Sequence, residues 1–150
     1  MARVLPKFPS SRVSPQRRIA RRTEPAVGLR LLALQPRLEP NDLLEFEYRI
    51  QRVRAEEVDR LEVCVMWYTE GKGTEDFGVH LFESLTGPEC ESVINGKPHP
   101  TVTTLPSSPL SYEGKSLKVR WCVRLHLYLK DGRKVAAEKT FTLGHLAIEV

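Results

Sequence analysis

The sequence predicts an all-β fold, an antiparallel β-sandwich of about seven strands. Three observations predict it. The first is residues 116–130, SLKVRWCVRLHLYLK, where Leu117, Val119, Trp121, Val123, Leu125, Leu127 and Leu129 alternate with Lys118, Arg120, Cys122, Arg124, His126 and Tyr128. A period of two over that length is a strand with one buried and one wet face; a helix would spread the same apolar residues around its circumference. The second is Asp131-Gly132 directly after it, the dipeptide of a two-residue hairpin turn, with another strand pattern (RKVAAEKTFTL) running back. The third is punctuation: short alternating runs lie between Pro, Gly, Asn and Asp clusters, with no long helical period and no internal repeat.

In chain order, residues 28–34 (GLRLLAL) form a first strand, ended by the turn from Pro36 to Pro40. Residues 44–51 (LEFEYRIQ) put Leu44, Phe46, Tyr48 and Ile50 on one face and Glu45, Glu47, Arg49 and Gln51 on the other. Residues 53–59 read as a helical turn or polar corner. A third strand, 60–70, points Leu61, Val63, Val65 and Trp67 to one side, and a fourth, 77–85, comes after the loop GKGTED. Residues 86–100 are turn chemistry: Asn95-Gly96 suits a type I′ turn, and Pro88, Pro98 and Pro100 bar a central strand. Residues 101–105 make a short fifth strand before Pro106. The long sixth strand would run roughly 43 Å if straight, at about 3.3 Å per residue, so a bend or bulge is expected in it. Residues 133–143 supply the seventh. Trp67 and Trp121 lie on the inward parity as core residues, each burying on the order of 150–250 Å². Seven hairpin-linked strands make the sandwich immunoglobulin-like.

The formal charge of +4 has to be divided before it means anything. Residues 1–25 hold Arg3, Lys7, Arg12, Arg17, Arg18, Arg21 and Arg22 against Glu24, a balance of +6, which leaves −2 for the rest. Pro6, Pro9, Pro15 and Pro25 and the lack of apolar period make 1–25 a disordered basic tail, with the sandwich domain spanning 26–150. The tail is Arg- and Ser-rich like a transit peptide, but its prolines spoil an amphipathic helix. Its basic residues suit weak contact with nucleic acid or another anionic surface. No run of eighteen apolar residues exists, so no transmembrane segment is expected. Cys64, Cys90 and Cys122 form an odd set without CxxC spacing or a secretory leader, which predicts reduced thiols and a cytoplasmic location.

Three segments resemble arrestin-like domains. LEPNDLLEFEYRI is similar to their opening strand pair, and LEVCVMWYTEGKGTEDFGVHLFE to the next strand–loop–strand of that fold. LPSSPLSYEGKSLKVRWCVRLHLYLKDGRK looks like the Pro/Ser approach and short turn before their long alternating strand. The resemblance covers roughly residues 27–145 and extends to bacterial single-domain members, including sporulation-control proteins with an arrestin-like half. It implies a non-enzymatic adaptor that binds other proteins through its sheets and loops. Full arrestins carry two such domains with a charged core and phosphate-sensing lysines; those residues do not map onto this sequence, so phosphopeptide binding is not implied.

No catalytic or cofactor motif competes with that reading. His80, His99, His126 and His145 are spread singly, without HExxH, His-x-His or a nucleophile elbow, so no enzyme activity, cofactor or metal is expected. The loop 70–76 (EGKGTED) places Lys72 between two glycines, but it lacks Walker spacing and a helix after it, and its carboxylates repel an anion. Those same carboxylates fit calcium only weakly, lacking the EF-hand pattern. The candidate site is the outer sheet face, with Cys64, Met66 and Tyr68 from the third strand and Arg120, Arg124, His126 and Tyr128 from the sixth, joined by Lys72. Aromatic, sulfur and arginine side chains are enriched at protein interfaces. The bland alternative is a solvated face with Glu62 paired to an arginine across the strands. The expected partner is a protein; unpaired sandwich edges are also commonly covered by a second copy, which makes a homodimer one outcome.

Overall fold

The computed structural model describes residues 24–148, apart from positions 34, 74 and 146 and the side chains of Ala147 and Ile148. The expectation of a disordered tail therefore falls, up to residue 23, outside the described residues. The strands are β1 (Ala26–Leu31), β2 (Arg37–Leu38), β3 (Leu43–Gln51), β4 (Val58–Gly71), β5 (Phe77–Thr86), β6 (His99–Thr104), β7 (Tyr112–Glu113), β8 (Leu117–Leu129), β9 (Lys134–Leu143) and β10 (Ala147–Ile148). Among the described residues two 3-10 turns, Ala55–Glu57 and Gly87–Ser92, are the helical pieces. One sheet runs β1-β3-β6; in the other β5 pairs with β4 and β4 with β8, whose far edge is shared by β9 and β7. The architecture is the all-β sandwich read from the sequence.

Its core is the facing inner rows. Leu44, Phe46, Tyr48 and Ile50 of β3 meet Leu61, Val63 and Val65 of β4 and Trp121, Val123, Leu125 and Leu127 of β8, all sealed from solvent. Trp121 meets the need of its one polar atom by donating from Nε1 to the Pro109 carbonyl at 2.7 Å, which lets a large aromatic sit at the centre. Burial pushes the Tyr48 hydroxyl up to about 12, so it stays protonated inside the sandwich.

Several local expectations need correction. The long strand carries no bulge of its own. Irregularities fall on its neighbours instead, at Asp59 in β4 and His80 in β5, and β8 finds partners along its length by pairing with β7 at Lys118–Val119 and with β9 from Trp121 onward. The hairpin after β8 is a three-residue connection rather than a two-residue one. Gly132 N–H donates to the Leu129 carbonyl, Leu129 N–H to the Arg133 carbonyl, and only Gly132 takes a positive φ, 95°. That is a turn ending in a left-handed bulge residue, whereas a type I′ turn needs positive φ at both centres. Asn95-Gly96 fails the same requirement: Gly96 is left-handed, while Asn95 instead accepts from Lys97 N–H through Oδ1 at 2.9 Å. Three two-residue strands were not anticipated, and β2 on β9 and β10 on β7 pair in parallel, so the fold is not wholly antiparallel. Pairs that short leave no periodicity to read.

Candidate protein-binding face

The predicted face forms from the outward rows of β4 and β8. Tyr68 lies opposite Arg120, Met66 opposite Cys122, Cys64 opposite Arg124, Glu62 opposite His126 and Arg60 opposite Tyr128. Directly opposed residues share a face of the sheet, so the register brings Cys64, Met66, Tyr68, Arg120, Arg124, His126 and Tyr128 together. Lys72 is separate: it lies in the loop beyond the end of β4, its N–H bound to the Ser116 carbonyl.

The basic side chains of this face are not free anion receptors. Arg124 Nε donates to Glu138 at 2.9 Å and its guanidinium sits 5.8 Å from the Tyr68 ring centroid. Arg120 is held by Glu70, with Glu113 at 3.8 Å, and Lys118 pairs with Glu113 at 2.9 Å. Arg60 stacks 3.8 Å over Tyr128 while bonding Glu62 and Asp59, so Glu62 pairs along its own strand and not across to β8 as the solvated-face reading had it. The Tyr128 hydroxyl lies 3.2 Å from His126 Nδ1. Burial first, then the Lys134 and Arg124 charges, lowers the His126 pKa below its ordinary value.

Met66 does not present itself to a partner. It is 8% exposed, set between Cys122 and Val79, and Cys122 is fully sealed although it lies on the outward parity. Both therefore form the floor of the face, a correction to Met66 as a contact residue. Burial pushes the Cys122 thiol up to about 12 and raises the Cys64 thiol as well, against the opposing pull of Arg124, so neither is a ready nucleophile.

The residues that sequence reasoning missed lie one strand over. Phe77, Val79 and Phe82 of β5 pair with Tyr68, Met66 and Cys64 and so stand on the same outer face, at 65%, 52% and 55% exposure. Phe77, Val79 and Leu81 share parity, and Phe82 breaks it. That break was the available signal, because the extra residue at His80 moves Phe82 to the outer face and turns Leu81 toward the core. His80 itself reaches the other sheet, with Nε2 2.8 Å from the Thr104 carbonyl and 3.2 Å from Thr103 Oγ1. The remaining histidines lie apart, His99 against Tyr48 and His145 near Glu39. Among the described residues no three His, Cys, Asp or Glu side chains are grouped to hold a metal ion, and no helix is long and apolar enough to cross a membrane.

The class these features define is a β-sandwich with one mixed apolar and ion-paired outer face. No protein family and no curated protein matches the chain by sequence. Among solved structures it is similar to the sporulation control protein Spo0M from Bacillus subtilis, with TM-score 0.56 and 14% identity over 81% of this chain and 49% of that one. The chain thus spans about half of Spo0M. This likeness is one of fold, in agreement with the resemblance read from the sequence, and assigns no family. A superoxide reductase (neelaredoxin) from Ignicoccus hospitalis aligns over 87% of this chain and 93% of that one, at TM-score 0.49 and 8% identity.

Proposed function

We propose that this chain is a non-catalytic protein-interaction module, an adaptor or scaffold, working in a reducing, cytoplasm-like compartment. The observation that carries the reading is the outer face itself. Phe77, Val79 and Phe82 stand exposed beside Tyr68, next to arginines whose charges are already matched by Glu70, Glu113 and Glu138. An apolar shelf bordered by neutralised charge suits a protein surface, since desolvating paired charges leaves no lone ion buried. Fold-level likeness to a protein named for sporulation control supports a regulatory role, and the free cysteines support a reducing compartment. The test is a pull-down with the Tyr68→Ala, Arg124→Glu double variant. Loss of the proteins captured by the wild type is expected; an unchanged set removes this face from the reading.

A second reading rests on the charge division: the +6 of residues 1–25 would give salt-dependent attachment to nucleic acid or another anionic surface without base readout. Deleting those residues is expected to abolish retention on immobilised nucleic acid. Retention that is nil before and after deletion ends it.

A further inference from the structure

Deepening the interaction-module reading, on which it rests, we infer that β5 takes up an extended peptide segment as an added strand. The segment is basic, with apolar side chains at alternate positions. Four observations carry this. β5 hydrogen-bonds as a strand only to β4, so one side of its backbone ladder is open among the described residues between its ends, where Asp76 holds Phe77 N–H and Glu89 holds Thr86 N–H. An open ladder left to water is a ready template for another extended chain.

The edge is only lightly protected, by the one-residue bulge at His80 and by Glu83 on the inward parity opposite Val63. Residues 77–86, FGVHLFESLT, contain no Lys, Arg or Pro, whereas the two edge strands of the other sheet, β1 and β6, carry Arg30 and Pro100. At the bulge, the His80 side chain ties the strand to Thr103 and Thr104 across the sandwich. Third, Phe77, Val79 and Phe82 form a shelf beside that ladder. Their exposed parts come to about 300 Å², well short of the roughly 800 Å² per partner of a stable protein pair. The shelf therefore fits a single strand better than a second copy of the domain.

The fourth observation is charge. Glu75 and Asp76 lead into β5 and Glu83 lies within it; none of the three makes an ion pair among the described residues, and Lys72 is the one cation in the loop. The strand edge is net acidic, in contrast to the neutralised face beside it. Basic residues between the apolar ones of an incoming strand complement it, and apolar side chains at every second position land on the shelf.

The experiment uses the full chain and three labelled peptides: KVKVKVK, its acidic counterpart EVEVEVE, and KVKVKVK with every backbone amide N-methylated, since alternate methylation would leave one edge free. Fluorescence anisotropy is expected to show binding of the first, and at least about tenfold weaker binding of the other two. Amide hydrogen exchange is expected to slow in β5 and not elsewhere. Val79→Lys with Phe82→Lys, both at exposed positions, is expected to weaken KVKVKVK about tenfold at unchanged circular dichroism; Phe82→Ser serves if that pair does not fold. Equal binding of the N-methylated peptide, protection away from β5, or no binding at about 1 mM peptide overturns strand addition. So does a dimer that the lysine pair dissolves, which would make the occupant a second copy. So does protection, in the free monomer, of the β5 amides that face away from β4, which would make the occupant the chain's own residues 1–23. If KVKVKVK fails while Tyr68→Ala, Arg124→Glu still loses its partners, strand addition falls and the interaction-module reading stands.

Discussion

β8 and β5 both pair along β4, from opposite sides, and they use their apolar residues in opposite ways. β8 turns Trp121, Val123, Leu125 and Leu127 inward and its polar row outward, where Arg120 and Arg124 find carboxylates on β4, β7 and β9. β5 leaves Phe77, Val79 and Phe82 outside. The difference is one of position. A central strand has neighbours on both edges to supply ion-pair partners and a facing sheet to cover its apolar row. An edge strand has one neighbour, and a single extra residue at His80 is enough to redirect Leu81 and Phe82. Alternation in β8 therefore reports burial, while in β5 it reports a surface.

Substitutions can sharpen that contrast or break it, beginning with the largest effect. Trp121→Ala is expected to lower stability by about 3–5 kcal/mol, read from the denaturant midpoint, because a sealed core ring is removed and its cavity stays. A loss below about 1 kcal/mol would mean that the inner row of β8 does not carry the fold. Gly78→Ala comes next: a Cβ there would run into the Trp67 indole, which lies over it on the inner side of β5. Overpacking of that kind costs about 1–3 kcal/mol, visible as a lower thermal midpoint. If Gly78→Ala melts with the wild type, the two strands are not joined by Trp67 as described.

Arg124→Ala is expected to cost only about 0.2–1 kcal/mol, and less in high salt, since its pair with Glu138 is partly exposed. A salt-independent loss would show the ion-paired row to be more buried than its geometry implies. Phe77→Ser with Phe82→Ser is expected to change stability by less than about 0.5 kcal/mol while reducing binding of a hydrophobic dye. A large destabilisation would place those rings in the core and dissolve the contrast between the two strands.

The smallest effect concerns pH. His126 titrates below its ordinary value in the folded chain, chiefly through burial, so the unfolded chain binds the proton more readily. Stability is then whole above about pH 6.5 and declines as pH falls from there through the depressed folded value. His126→Gln is expected to flatten that part of the curve of denaturation midpoint against pH. A curve of unchanged slope would assign the dependence to another group.

The same two strands mark how far the sequence was legible. The inner rows of β3, β4 and β8 could be read because alternation over many residues records one face in water and one out of it. The grouping of Cys64, Tyr68, Arg120, Arg124, His126 and Tyr128 came from treating β4 and β8 as neighbours, which the long antiparallel register bears out. Trp67 was placed on the inward parity and is half-buried, packed against the core over Gly78. The parallel two-residue pairs could not be read, since two residues have no period and their partners are distant in sequence.

By itself the sequence determined the fold class, the inner faces of β3, β4 and β8 and the place of most turns, because these depend on local spacing and on which side chains avoid water. Only the tertiary structure decided that Met66 and Cys122 form a floor, that the arginines are already paired, and that Phe77, Val79 and Phe82 share an open edge. Each of those depends on which residue of one strand stands opposite which residue of another. Register across a sheet is set by the packing of the whole sandwich, and a bulge of one residue reverses it.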